Sequence, residues 1–103
     1  MKILGKYKIL RGHCPLMGTS EEYNGEVEIS QNGVNYLVSW NLKGKKYQGT
    51  AILANNILSI GYDLDSYKYG VGSFTFDYNF KFVKGHYTIK GGIEQGYEYW
   101  EKI

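Results

Sequence analysis

Cysteine, alanine and arginine are scarce in this chain of 103 residues. The one cysteine, Cys14, excludes an internal disulfide and any metal site built from several cysteines. The only alanines are Ala51 and Ala54, so the residue with the highest helix propensity is nearly missing. Arg11 is the only arginine and the net charge is +2, which argues against the basic surface of a nucleic-acid-binding protein.

Long apolar segments are also missing. No run of about 18 apolar residues is present, so the sequence predicts no transmembrane helix and no membrane partner. The first six residues, Met1-Lys2-Ile3-Leu4-Gly5-Lys6, turn polar too early for the apolar core of a signal peptide. We therefore expect a cytoplasmic protein in which residues 1–103 form a single domain.

Aromatic residues and glycine are abundant, which favours strands and tight turns. The chain has 11 tyrosines and 14 glycines, and aromatic residues make up 17% of it. Apolar and polar side chains alternate with a period of two, as in half-buried strands. This alternation predicts eight strands: Ile3–Leu10, Tyr23–Ser30, Val34–Leu42, a strand through Tyr47 and Leu53, Ile57–Tyr62, Tyr69–Asp77, Phe80–Ile89 and Gln95–Lys102.

The short connections between these strands determine the expected topology. Sequential hairpins predict an antiparallel meander, and closing the meander into a barrel removes exposed edge strands. A β-sandwich is the alternative, but the long crossing connection of a Greek key is missing. We therefore expect an all-β, eight-stranded up-and-down barrel, whose interior is either filled by side chains or holds one small ligand.

An ordered series of short motifs spans nearly the whole chain. It comprises Gly5-Lys6-Tyr7, Tyr23-Asn24-Gly25, Tyr36-Leu37-Val38-Ser39-Trp40, Tyr47-Gln48-Gly49, the segment Asn56 to Tyr62, Tyr69-Gly70-Val71-Gly72 and Gly96-Tyr97-Glu98. In order and spacing, the series resembles the small bacterial barrels grouped with the avidin- and lipocalin-like (calycin) proteins, some of which carry the label fibronectin-binding protein. The resemblance implies a meander barrel with a pocket at one mouth, and it implies no reaction.

Residues that could carry catalysis or bind a metal are few. His13 and Cys14 are adjacent, so on an extended chain their side chains point apart and cannot act together as base and nucleophile. His86 has no second histidine at a metal-binding spacing, and Asp63 and Asp65 lack the register of a calcium loop. We therefore expect no enzymatic activity, no metal and no cofactor.

One set of residues on the inner faces of the predicted strands is suited to binding a small molecule. Aromatic rings with polar tips would form the wall, and Glu98 would lie inside the barrel, where a carboxylate needs partners such as tyrosine hydroxyls, lysines or Arg11. The set consists of Tyr36, Trp40, Tyr47, Tyr87, Glu98 and Trp100. An alternative stays open for each part of this set. The rings could instead fill a packed core, and Glu98 could instead be a structural latch between the last strand and the first.

A second set of tyrosines indicates a different function. Tyr62, Tyr67, Tyr69 and Tyr78 cluster around two predicted loops, and tyrosines are enriched at protein interfaces. Our leading hypothesis is a non-enzymatic module that holds a small molecule at the mouth of the barrel. The alternative is an adhesin-like or inhibitor-like barrel that binds a protein through exposed tyrosine and lysine side chains. A homo-oligomer is compatible with either hypothesis.

Overall fold

The computed structural model describes residues 2–14, 22–65 and 68–103. Within them, eight antiparallel strands form a closed barrel, in which each strand pairs with the next and the last pairs with the first. The strands are β1 (Gly5–His13), β2 (Glu22–Asn32), β3 (Asn35–Leu42), β4 (Lys45–Ala54), β5 (Ile57–Asp65), β6 (Lys68–Phe76), β7 (Phe82–Ile89) and β8 (Gly96–Lys102). The predicted meander barrel is confirmed, and the sandwich is wrong. None of the described residues forms a helix long and apolar enough to cross a bilayer.

The predicted limits of β1 are wrong at both ends. The strand begins at Gly5 rather than Ile3, and it continues to His13 rather than ending at Leu10. Its pairing with β8 shifts register between Ile9 and Arg11, which is the signature of a bulge. Because the bulge changes which side chains face inward, the alternation in the sequence breaks there although the strand does not.

Two further predictions fail at later connections. The predicted strands Ile57–Tyr62 and Tyr69–Asp77 leave residues 63–68 as a connection, but β5 extends to Asp65 and β6 begins at Lys68. β7 begins two residues later than predicted, because Phe80 adopts a left-handed conformation with a φ of 57°. The carboxylate of Asp77 holds this turn by accepting hydrogen bonds from the backbone N–H groups of Lys81 and Phe82, at 2.8 and 3.1 Å. The other predicted limits lie within two residues of those observed.

One end of the barrel, which we call the packed end, is filled by side chains. Ile3 is buried there, and its carbonyl accepts a 2.6 Å hydrogen bond from the Tyr7 hydroxyl. Burial raises the pKa of Tyr7 to about 12. Further inside, the ring centroid of Tyr7 lies 6.1 Å from that of Phe76 and 5.7 Å from that of Trp100. Aromatic contacts therefore run without a gap from the packed end to the middle of the barrel.

Glycines on the inner faces of neighbouring strands make room for these rings. A Cβ added at Gly85 would overlap the ring of Phe74, which stacks on Trp100 at a centroid distance of 4.6 Å. A Cβ added at Gly96 would overlap the ring of Tyr87 in the same way. A ring on one strand thus lies opposite a glycine on the paired strand, which lets a narrow barrel hold many rings.

We expect Gly85→Ala to lower the free energy of unfolding by about 1–3 kcal/mol, because the new methyl group overlaps a ring that is already held by its stack on Trp100. Gly61→Ala is the matched control on β5, since a Cβ added there meets open space, and we expect a change within about 0.5 kcal/mol. Denaturant unfolding of the two variants measures the difference. Equal midpoints would contradict the packing of Phe74 against β7.

Candidate ligand site

The barrel is open at the end opposite to the packed end. A cavity of about 340 Å³ enters there and reaches down to Glu98. Its wall is mainly aromatic, and its rim carries charged residues from the ends of the strands. Trp40, Tyr47, Tyr62, Phe74 and Tyr87 contribute the rings, and Glu22, Lys43 and Lys45 lie at the rim.

Glu98 lies at the floor of this cavity and is only 4% exposed. Its Oε1 accepts two hydrogen bonds from indole N–H groups, at 3.0 Å from Trp40 and at 2.9 Å from Trp100. Its Oε2 contacts the hydroxyl of Tyr23. The partners belong to β2, β3 and β8, so the carboxyl connects strands across the interior and is not a latch between β8 and β1. A tyrosine hydroxyl is among the predicted partners, but the predicted Arg11 instead pairs with Glu22 at 2.6 Å.

Two further contacts continue from Tyr23 to the backbone of β1. The hydroxyl oxygens of Tyr23 and Tyr87 are 3.0 Å apart, and the Tyr87 hydroxyl donates to the carbonyl of His13 at 3.0 Å. Together with the contact between Glu98 and Tyr23, these make three oxygen–oxygen contacts, for which the two hydroxyls supply only two protons. We call this series the tyrosine chain.

A proton on Oε2 of Glu98 would supply the hydrogen that the third contact lacks. The carboxyl would then donate to Tyr23, Tyr23 to Tyr87, and Tyr87 to the His13 carbonyl, so that every oxygen pair contains one hydrogen. With an ionised carboxylate, one pair of oxygens must face each other without a hydrogen between them. The geometry of the tyrosine chain therefore favours the protonated form of Glu98.

Burial acts in the same direction. Desolvation raises the pKa of the Glu98 carboxyl above its ordinary value, although the hydrogen bonds from Tyr23, Trp100 and Trp40 oppose the shift by stabilising the charged form. Desolvation is also the main reason why the pKa values of the Tyr23 and Tyr87 hydroxyls are raised, so both hydroxyls keep their protons at neutral pH.

The rings above Glu98 are fixed by contacts with one another. The ring centroid of Trp40 lies 5.6 Å from that of Tyr62 and 6.5 Å from that of Trp100, and Tyr62 lies 6.3 Å from Tyr87. The Tyr62 hydroxyl also donates to the carbonyl of Thr88 at 3.4 Å. The cavity is thus a preformed space, because its wall is held by edge-to-face ring contacts and by hydrogen bonds.

Five of the six residues predicted for a ligand site come together in the structure. Trp40, Tyr47, Tyr87 and Glu98 line the cavity. Trp100 is fully buried below it and contacts the site through its hydrogen bond to Glu98.

The placement of Tyr36 in the site is wrong. Its ring is buried, but it lies near the β2–β3 turn, at the packed end of the barrel. Tyr36 and Trp40 face inward from the same strand. Tyr36 lies in the core, and Trp40, four positions further along β3, lines the cavity. Alternation shows which face of a strand a residue occupies, but it does not show its depth in the barrel.

The predicted surface patch of four tyrosines does not form among the residues that the structure describes. Tyr62 lies inside the barrel, where it lines the cavity. Tyr69 is 51% exposed and Tyr78 is 94% exposed, but Tyr69 lies near the start of β6 and Tyr78 follows its end, so the two occupy opposite ends of the barrel. Tyr67 lies outside the described residues.

Sequence analysis missed two aromatic residues of the site, Tyr23 and Phe74, and it assigned a third, Tyr62, to the surface. Phe74 is buried and reaches the cavity from β6. Tyr23 carried a signal, because the pattern Tyr-x-Gly occurs twice, at Tyr23–Gly25 and at Tyr47–Gly49, and both tyrosines line the cavity. The hydrogen bond from Tyr23 to Glu98 joins residues 75 positions apart, which alternation within a strand cannot reveal.

Comparison of the chain with protein-family models gave no match, and comparison with the curated proteins gave none either.

Among residues 2–14, 22–65 and 68–103, no three His, Cys, Asp or Glu side chains lie together as a metal site requires. Both histidines lie away from the cavity: His13 stacks on Tyr97 at a centroid distance of 5.4 Å, and His86 is exposed. Function is therefore inferred from the cavity itself.

We expect Glu98→Gln to become more stable relative to the wild-type protein as the pH rises. The amide oxygen can accept from both indoles and the amide N–H can donate to Tyr23, so glutamine reproduces the protonated carboxyl. A carboxyl whose pKa is higher in the folded than in the unfolded state contributes its full stabilisation below the ordinary pKa of 4.5. That stabilisation is lost as the pH rises through the raised pKa of the folded state. Unfolding of both proteins between about pH 4 and about pH 8 measures the difference.

Glu26→Gln is the control for this comparison, because Glu26 is exposed on β2. We expect it to stay within about 0.5 kcal/mol of the wild-type protein throughout that range. A wild-type protein that gains stability over Glu98→Gln as the pH rises above 4.5 would mean that the folded state prefers the ionised carboxylate.

Proposed function

We propose that this protein is a non-enzymatic binding module that holds one small molecule in the open half of its barrel. The observation that carries the proposal is the contrast between the two halves. Trp100 and the side chains below it fill the packed end, while the rings above Glu98 surround a cavity of about 340 Å³. That volume falls within the range of about 300–1,000 Å³ that small-molecule sites occupy.

The chemistry of the wall supports the proposal. Ligand sites are largely apolar, with a few polar groups that fix orientation. Here the apolar part comes from rings and from Leu42, Leu64 and Ile89, and the polar part from the carboxyl of Glu98 and the nearby hydroxyls of the tyrosine chain. Because the cavity is open to solvent, its apolar wall is in contact with water, and an apolar ligand that covers the wall would gain free energy by removing that surface from water.

This proposal agrees with what the calycin-like resemblance implies, a meander barrel with a pocket at one mouth. Membership of the avidin- and lipocalin-like group is itself a proposal, supported by the closed eight-stranded barrel and by the open end. The alternative of a protein-binding barrel has less support, because Tyr62 lies inside the barrel and Tyr69 and Tyr78 lie at opposite ends.

We expect the neutral fluorescent probe N-phenyl-1-naphthylamine to bind with one site per chain. Leu42→Trp should weaken its binding by about tenfold or more, because Leu42 lines the cavity and a larger ring there occupies the ligand's space. Leu37→Trp is the matched control on the same strand, since Leu37 faces outward and is exposed. Calorimetric titration measures both affinities.

Equal weakening by the two substitutions, or none by Leu42→Trp, would place the probe outside the cavity. If neither this probe nor small aromatic cations, anions or neutral molecules bind to the wild-type protein, the proposed function is wrong.

A further inference from the structure

The buried carboxyl of Glu98 has no cationic partner among the described residues. Its hydrogen-bond donors are Trp40, Trp100 and Tyr23, all of which are neutral. Buried acidic groups are normally paired with a cation, bound to a metal or neutralised by a proton. None of the ion pairs of the described residues includes Glu98: Arg11 pairs with Glu22 at the rim, and Lys8 and Lys81 pair with Glu101.

The surroundings of the carboxyl are those that attract a positive charge. The face of an aromatic ring carries partial negative charge, and it binds organic cations when water is excluded. Rings of Trp40, Tyr62 and Tyr87 follow one another around the space above Glu98 at centroid distances of 5.6 and 6.3 Å. An anion placed there would lie beside both the carboxyl and these rings, whereas a cation would be attracted to them.

The other ionisable groups on the strands around Glu98 do not replace such a cation. Tyr23 of β2, Tyr47 of β4, Tyr62 of β5 and Tyr87 of β7 line the cavity, and Cys14 lies beside Tyr87 just beyond β1. β3 and β6 contribute Trp40 and Phe74, which do not titrate. Glu22, Lys43 and Lys45 are exposed at the rim, where solvent and salt screen their charges.

We propose that the cavity takes a small organic cation, an ammonium group with an apolar substituent, whose charge replaces the proton on the Glu98 carboxyl. This inference rests on the proposed function and names the class of ligand. As the cation enters, the carboxyl releases its proton to solvent, and no covalent bond to the ligand forms or breaks. Tyr23 then donates to Oε2, and both Trp40 and Trp100 continue to donate to Oε1.

The exchange explains why three neutral donors surround the carboxyl. These hydrogen bonds stabilise the carboxylate in part, so it can ionise once a cation arrives. Without a cation, the tyrosine chain accommodates the proton that burial favours. A group that alternates between the two forms therefore keeps its hydrogen-bond partners in both.

The test compares phenyltrimethylammonium with its neutral isostere tert-butylbenzene and with benzoate. We expect the cation to bind about tenfold or more tightly than the isostere, and benzoate to bind most weakly. Because phenyltrimethylammonium cannot titrate, any pH dependence belongs to the protein. Below the raised pKa of Glu98, its association constant should rise about tenfold per pH unit, and calorimetry in buffers of different ionisation enthalpy should detect one released proton.

Glu98→Gln is the decisive variant, because it keeps the neutral hydrogen-bond pattern but cannot lose a proton. It should bind tert-butylbenzene as the wild-type protein does, with a smaller preference for the cation, because only the rings then favour it, and without the pH dependence. Proton release by the wild-type protein is an independent readout if this variant folds poorly.

The inference is overturned if tert-butylbenzene or benzoate binds the wild-type protein as tightly as the cation. It is also overturned if Glu98→Gln keeps the full cation preference of the wild-type protein, since the rings alone would then be responsible. Either result still shows a ligand in the cavity and leaves the proposed function standing, whereas failure of all three compounds and of the neutral naphthylamine overturns both.

Discussion

The carboxyl of Glu98 joins two halves of the barrel that are packed differently. Below it, Trp100 and the rings of the packed end supply most of the buried apolar contact. Above it, Trp40 and the tyrosines leave a space open. Because Oε1 holds an indole from each half, one acidic side chain determines where packing ends and the cavity begins. The positions of Tyr23 and Tyr87 depend on it in turn.

This arrangement has an energetic cost that a purely structural residue would avoid. Burying a carboxyl costs several kcal/mol if it is ionised, which is why Glu98 needs a proton or a cation in addition to its hydrogen bonds. Avoiding that cost would require apolar side chains at position 98 and at its partners together, because an apolar residue at position 98 alone would leave the indole N–H groups of Trp40 and Trp100 without an acceptor. Costly local choices of this kind are typical of binding and catalytic sites. The proposed ligand site is therefore centred on Glu98.

Much of the fold could be predicted from the sequence, because period-two alternation shows both the strands and their inner faces. Glu98 was placed inside for this reason, and so were Trp40 and Trp100. Depth along the barrel could not be predicted, since it depends on the stagger between strands and on the bulge in β1, and Tyr36 was misplaced accordingly. The partners of Glu98 come from strands far apart in sequence, so the choice of Tyr23 over Arg11 emerges only when the barrel closes.

Glu98 should hold a proton more strongly than an ordinary glutamate, and titration of its carboxyl tests this most directly. Carbon-13 NMR of protein labelled at the glutamate side-chain carboxyl gives one signal per residue, and the signal of Glu98 is the one that Glu98→Gln removes. We expect a titration midpoint above the ordinary value of 4.5 in the protein without ligand. A midpoint at or below 4.5 would contradict it.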